Sequence, residues 1–131
     1  MDKKSRPKVL SRKPKRWRPL TVDGHRYWWQ ASGDDGYNRL TVRCPYGAGG
    51  KILCSFGYHD RVRMVSPELS ELYDRVLITP RLVRRVIQRA IVDGYDRLHF
   101  RGEWRVPEES IELEDAPRDP RVCGTVVYRF V

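Results

Sequence analysis

Between Thr79 and Gly94 the apolar residues fall into two adjoining rows at helical spacing, Leu82, Val86 and Ala90 beside Val83, Ile87 and Ile91. A stripe that broad has to be covered, so the rest of the chain must supply an apolar surface of similar width. Thr79 followed by Pro80 is a start signal, because a threonine oxygen can accept from the first free N–H groups and proline suits the first helical position. Gly94 is the matching stop signal. Arg81, Arg84, Arg85, Gln88 and Arg89 occupy the wet side, where their aliphatic stems can cover the edge of the stripe. Solvation alone explains these arginines, and a polyanion would find the same row accessible.

The covering surface is expected from a hairpin. "RLTVRC" and "KILCSF" flank the glycine-rich link "PYGAGG" and alternate at period two. Pairing Leu40 with Phe56, Val42 with Cys54 and Cys44 with Ile52 places all six on one face. Arg39, Thr41, Arg43, Lys51 and Ser55 then lie opposite, with Leu53 as the apolar exception. "RVRMV" predicts a further strand with Val62 and Met64 inward, and Arg61 and Arg63 extending the basic side. Upstream, Asp23 and Gly24 predict a turn into an aromatic strand with His25, Tyr27 and Trp29 on one side and Arg26, Trp28 and Gln30 on the other. Adjacent tryptophans on a regular strand cannot share a core, so one of the pair is expected to be exposed, to cover a helix end or to line a groove.

Ser66 and Pro67 predict the start of a second, shorter helix over 67–75, its apolar face formed by Leu69, Leu72, Tyr73 and Val76. "RLHFRGEWRVP" predicts one or two short strands, with His99 on the side opposite Leu98 and Phe100. Ile111 and Leu113 anchor an otherwise acidic, proline-bounded stretch, and "VCGTVVYRFV" predicts a last strand. The expected fold class is α+β, a small antiparallel sheet packed against one main amphipathic helix and one shorter helix. With 131 residues, a single core is expected, organised as a flexible basic tail (1–16) and one compact domain (17–131).

The formal charge of +9 is unevenly spread. Residues 1–20 carry nine Lys/Arg against Asp2, residues 21–102 thirteen against nine acids, and residues 103–131 four against seven. Most of the excess therefore sits in a tail with little to bury, which is expected to stay mobile until a partner orders it. No apolar run has the length of a membrane span or a signal-peptide core, and Cys44, Cys54 and Cys123 cannot all pair with one another. A reduced, cytoplasmic protein with thiols acting as core residues is expected.

Chemical motifs are incomplete. Cys44, Cys54 and His59 lack the close cysteine pair of a zinc knuckle. "GAGGK" lacks the spacing of a phosphate cradle and the hydroxyl residue after Lys51. His25 with Asp23, or His59 with Asp60, would suit proton transfer, but no nucleophile motif joins Cys54 or Cys123 to them. No catalytic residue, cofactor or metal is assigned.

The functional expectation is noncatalytic macromolecular recognition. For RNA or single-stranded DNA the contacts expected are Lys13, Lys15, Arg16, Arg18, Arg84, Arg85 and Arg89 on phosphates, with Trp28 stacking on bases. The alternative is a protein-interaction module of adaptor, immunity or antitoxin type, using Trp28 and the acids Glu108, Glu109, Glu112, Glu114 and Asp115. A small hydrolytic enzyme is the remaining alternative. Oligomeric state is left open.

Overall fold

Asp23 and Gly24 have φ values of 50° and 81°, the two positive dihedrals needed at the centre of the tight hairpin turn that Asp-Gly favours. The structure, a computed structural model, describes residues 16–34, 37–57 and 61–127. Of the expected tail only Arg16 is included, so its mobility lies outside the described residues, as do Lys13, Lys15 and His59. The turn joins β1 (Arg18–Val22) to β2 (His25–Asp34), and β3 (Tyr37–Arg43) and β4 (Lys51–Gly57) continue the meander. Then come β5 (Arg61–Ser66), β6 (Leu69–Val76), α1 (Pro80–Val92), β7 (Glu103–Arg105) and β8 (Arg118–Val127). A 3-10 turn, Glu108–Ser110, lies between β7 and β8.

Two sheets result, one ordered β1-β2-β3-β4-β7 and the other β5-β6-β8. The α+β class is as expected, although the larger sheet is mixed, because β7 pairs parallel to β4 through Ile52 opposite Trp104. A parallel edge needs a long crossover, and here α1 lies within it.

Helix α1 begins as its sequence predicts, with Thr79 Oγ1 accepting from Leu82 N (3.3 Å) and Pro80 in the first turn. Leu82, Val83, Val86, Ile87 and Ala90 are buried against Val22, Tyr27, Trp29, Leu40, Val42, Ile52, Cys54 and Phe56. Burying each larger aliphatic side chain contributes about 2 kcal/mol, so this one face supplies much of the driving force for folding. Ile91 is exposed, so the second row ends a turn earlier than its spacing implies. Tyr95, Phe100 and Trp104 close the end of the core through three edge-on ring contacts at 5.2–6.0 Å, the geometry aromatic quadrupoles favour.

The hairpin register differs from expectation by two residues. Leu40 faces Cys54, Val42 faces Ile52, and Phe56 lies opposite Asn38. A shift of two keeps every side chain on its face, so the six predicted inward residues are all buried. The displacement moves the loop one residue toward the N-terminus, to residues 44–50, and this loop docks on the segment following Tyr95. Ala48 N donates to Leu98 O (3.0 Å), and a Cβ on Gly47 would meet that same carbonyl oxygen at 2.4 Å.

The helix expected over 67–75 is instead β6. Ser66 and Pro67 do start a turn, in which Ser66 Oγ accepts from Glu68 N (3.3 Å), but the turn joins two strands. Register shifts beside Leu72 and Tyr73 interrupt the period-two pattern of β6, so its apolar residues imitate helical spacing. The short helical element is the 3-10 turn at 108–110. Among the described side chains of the second sheet only Ser70, Val76 and Asp119 are buried. Met64 is accordingly 73% exposed rather than inward, and Arg63, paired with Glu71, belongs to this sheet and does not extend the basic side of the hairpin.

Gly47 and Gly49 both have positive φ (93° and 85°), but only Gly47 abuts backbone. Gly47→Ala should therefore cost about 2–4 kcal/mol, from dihedral strain plus overpacking, and Gly49→Ala about 1 kcal/mol, from strain alone. Chemical denaturation of the two variants measures the difference, and equal losses would remove the loop-docking contact from the account.

Candidate nucleic-acid interface

The helix arginines are mostly engaged within the protein. Arg85 makes a two-pronged contact with Asp115 (2.8 and 2.7 Å) and also donates to Glu112 O (2.9 Å). Arg81 reaches the same carboxylate at 3.2 Å, and Arg89 pairs with Asp93 at 3.1 Å. Arg84 donates to Thr21 O (3.3 Å), and among the described residues no carboxylate pairs with it. Two groups assigned to rival functions, Arg85 on a phosphate-binding row and Asp115 on a protein-binding acidic segment, are thus each other's partner. The Arg85 hydrogen bonds and charge, with Arg81 beside them, hold the Asp115 carboxyl down to about 2.

Of the other acids, Glu109, Glu112 and Glu114 are exposed and Glu108 is half-buried, with Glu108 Oε2 accepting from Gly57 N (3.4 Å). On the second sheet Asp119 accepts from the Arg121 side chain and backbone and lies 3.8 Å from Arg75, which likewise pulls its carboxyl down to about 2.

The face of the larger sheet turned away from α1 is arranged differently. Strand register aligns Pro19, Trp28, Arg43, Lys51 and Glu103 in one row across all five strands. Gln30, Thr41, Leu53 and Arg105 form a second row, Ser32, Arg39 and Ser55 a third, and Thr21 and Arg26 flank them. Arg105 bonds Glu103 at 3.2 Å. Among the described residues no carboxylate pairs with Arg26, Arg39, Arg43 or Lys51. Period-two alternation is the reason: inward apolar residues of β2, β3 and β4 alternate with outward residues that, apart from Trp28 and Leu53, are mostly polar and several of them cationic.

Aromatic rings border this face. Arg43 lies over the Trp17 ring at 5.5 Å, and Trp17 is half-buried. Trp28 and Trp29 are both buried, on opposite sides of the sheet. Trp29 joins the core, with Arg18 over its ring at 5.4 Å. Trp28 lies outside that core between Pro19 and Arg43 and is only 6% exposed, so its ring is not free to stack. Arg16, in a turn with φ of 71°, is exposed at the start of β1.

Three loops meet at one end of the sheet. The turn before β2, the loop after β3 and the segment after Tyr95 enclose an open cleft of about 420 Å³ lined by Gly24, His25, Arg26, Tyr46, Arg97 and Leu98. His99 is in a turn rather than on a strand. Its ring lies 2.9 Å from Asp96 Oδ2, while Asp96 Oδ1 accepts from Leu98 N and His99 N. The proton-transfer pairing of His25 with Asp23 brings together two exposed side chains with no hydrogen bond between them. Cys44 and Cys54 are buried, and desolvation, with Glu108 and Glu109 nearby, pushes the Cys54 thiol up to about 12. Among the described residues no group of three or more His, Cys, Asp or Glu is placed to hold a metal, and no helix is long and apolar enough to cross a membrane.

No family model matches the chain, and comparisons with curated proteins and with solved structures return no significant similarity. The sequence-derived site therefore has to be judged on geometry. Arg84, Arg85 and Arg89 share a helix face, but one already served by internal acceptors, and Arg18 serves Trp29. The outward cations Arg39, Arg43 and Lys51 are legible as the basic side of the hairpin. Their continuity with Arg26 is not, since that depends on how β2 pairs with β3; neither is the meeting of Arg97 and Tyr46 with His25.

Burial of Cys54 predicts that a thiol reagent at pH 8 modifies it only as the protein unfolds; labelling of Cys54 at the rate of a free thiol would contradict this placement. The lowered Asp115 carboxyl predicts a pH effect of defined sign. Its contribution to stability is complete above its ordinary value of 3.8 and is lost as pH falls toward 2. Asp115→Asn should lower the melting temperature at pH 6 and reduce the drop between pH 4 and pH 2, leaving the share due to Asp119. An unchanged acid profile would mean that Arg85 and Asp115 are not paired in solution.

Proposed function

We propose that the protein is a noncatalytic nucleic-acid-binding module that lays single-stranded RNA or DNA along the outer face of its five-stranded sheet. The observation that carries this reading is the contrast between two basic surfaces. Arg81, Arg85 and Arg89 of α1 have carboxylate partners, whereas Arg26, Arg39, Arg43 and Lys51 are arrayed on adjacent strands with none among the described residues. Like charges held close together repel, and phosphates relieve that repulsion while releasing condensed counterions. Half-buried Trp17 beneath Arg43 supplies an aromatic ring at the same face, the combination that single-strand binders use without base specificity. Lys13, Lys15 and Arg16 precede β1 directly in sequence and would add charge at its edge.

The protein-interaction alternative has less support. Its anchor, Trp28, is buried, and Asp115 already serves Arg81 and Arg85.

The test is fluorescence anisotropy with a labelled single strand across a salt series. Arg39→Ala combined with Arg43→Ala and Lys51→Ala should weaken binding at least tenfold. The slope of log affinity against log salt should become shallower by about 2, at roughly 0.7 per single-strand phosphate contact. Arg89→Ala should stay within twofold of the parent. Binding indifferent to the triple substitution would overturn the assignment of the sheet face. Recovery of a native protein partner that survives nuclease treatment, with no strand binding in vitro, would favour the alternative.

A further inference from the structure

We infer that the cleft lined by His25, Arg26, Tyr46 and Arg97 is a phosphomonoester pocket at the end of the basic sheet face. Its strand-end form rests on the reading of that face; the pocket itself does not. Every charged or titratable side chain lining the cleft is a hydrogen-bond donor or can become one: two guanidinium groups, an imidazole and a phenol hydroxyl. Among the described residues no carboxylate lines it. The two nearest in sequence, Asp23 and Asp96, lie outside the lining, and Asp96 is occupied by Leu98 N, His99 N and the His99 ring.

The donors arrive from three separate loops held in place by backbone. The Asp23-Gly24 turn presents His25 and Arg26. Docking of Ala48 N on Leu98 O, possible because Gly47 has no Cβ, brings Tyr46 beside Arg97. An arrangement fixed by main-chain contacts loses little entropy when an anion binds. Two planar guanidinium forks suit the several oxygens of a terminal phosphate better than the single charge of a backbone diester.

The cleft's volume of about 420 Å³ falls within the range of small-ligand sites, about 300–1,000 Å³, and exceeds what a bare phosphate needs. Tyr46 and Leu98 leave apolar surface for an attached sugar or base. Arg26 belongs both to the cleft and to the outer sheet face, so a strand lying on that face has a path for its end into the pocket. The buried Tyr27 hydroxyl, near enough to Arg97 for its charge to act on it, has no hydrogen-bond partner among the described residues.

The phosphate has two possible sources, a strand terminus or a free nucleotide. The probes are one single-stranded decamer carrying a 5′-phosphate, a 3′-phosphate or neither, together with nucleoside 5′-monophosphate and inorganic phosphate. They are assayed on the full chain, on Arg97→Gln and on Arg39→Ala with Arg43→Ala. We expect one terminal phosphate to raise decamer affinity at least fivefold, with the gain abolished by Arg97→Gln but retained, on weaker overall binding, in the sheet variant. Tyr46→Phe, with a native thermal melt, should reduce the gain and guards against an Arg97 variant that fails to fold.

Monophosphate binding that needs Arg97, without any end preference on the decamer, would assign the pocket to free nucleotide. Tight monophosphate binding with no decamer binding would keep the pocket and overturn the sheet face. Decamers that bind equally whatever their ends, with no monophosphate or phosphate binding, would overturn the pocket and leave the sheet face standing.

Discussion

The structure depends on the contact between α1 and the inner face of the five-stranded sheet. Val83, Val86, Ile87 and Ala90 are fully buried there, and so are Leu40, Val42, Ile52 and Phe56 across from them. Because this layer is apolar, most polar residues of β2, β3 and β4 lie on the other side of the sheet, the buried Asn38 being satisfied by Val76 O. The basic outer face is thus a by-product of the core: a strand with one apolar face must display whatever alternates with it. The same constraint separates Trp28 from Trp29, one on each side of β2.

Charge is distributed by a second rule. The acidic stretch before β8 folds back along α1, and Asp115 there takes both Arg81 and Arg85. Exposed ion pairs contribute little to stability, but they alter which surfaces remain electropositive. Among the described residues Arg84 has no carboxylate partner on the helix, while the sheet displays Arg26, Arg39, Arg43 and Lys51 on one face. A polyanion approaching the molecule would therefore be steered to the sheet and to the chain preceding β1. The cleft at the turn before β2 extends that field to one end, through Arg26.

The second sheet stands apart from this arrangement. Among its described side chains only Val76 joins the main core, helped by Asn38 Nδ2 donating to Val76 O at 3.0 Å. Its polar interior contact, Asp119 with Arg121 and Arg75, is unlike the aliphatic layer under α1.

What the sequence determined by itself is local. Helical spacing from Leu82 to Ala90, the Thr79-Pro80 start and the Asp-Gly turn specify their own geometry, because each is set by contacts within a few residues. The inward faces of β3 and β4 were legible for the same reason, and they survived a wrong register because a two-residue slip preserves parity. Tertiary structure decided everything that depends on residues distant in the chain. It made residues 69–76 a strand, since their pairing with β5 and β8 outweighs a helix-like apolar spacing. It set Asp115 on Arg85, which redirected the functional candidate from helix to sheet. It also joined His25, Tyr46 and Arg97, whose approach requires a bare glycine against the Leu98 carbonyl, a clearance that neither loop encodes alone.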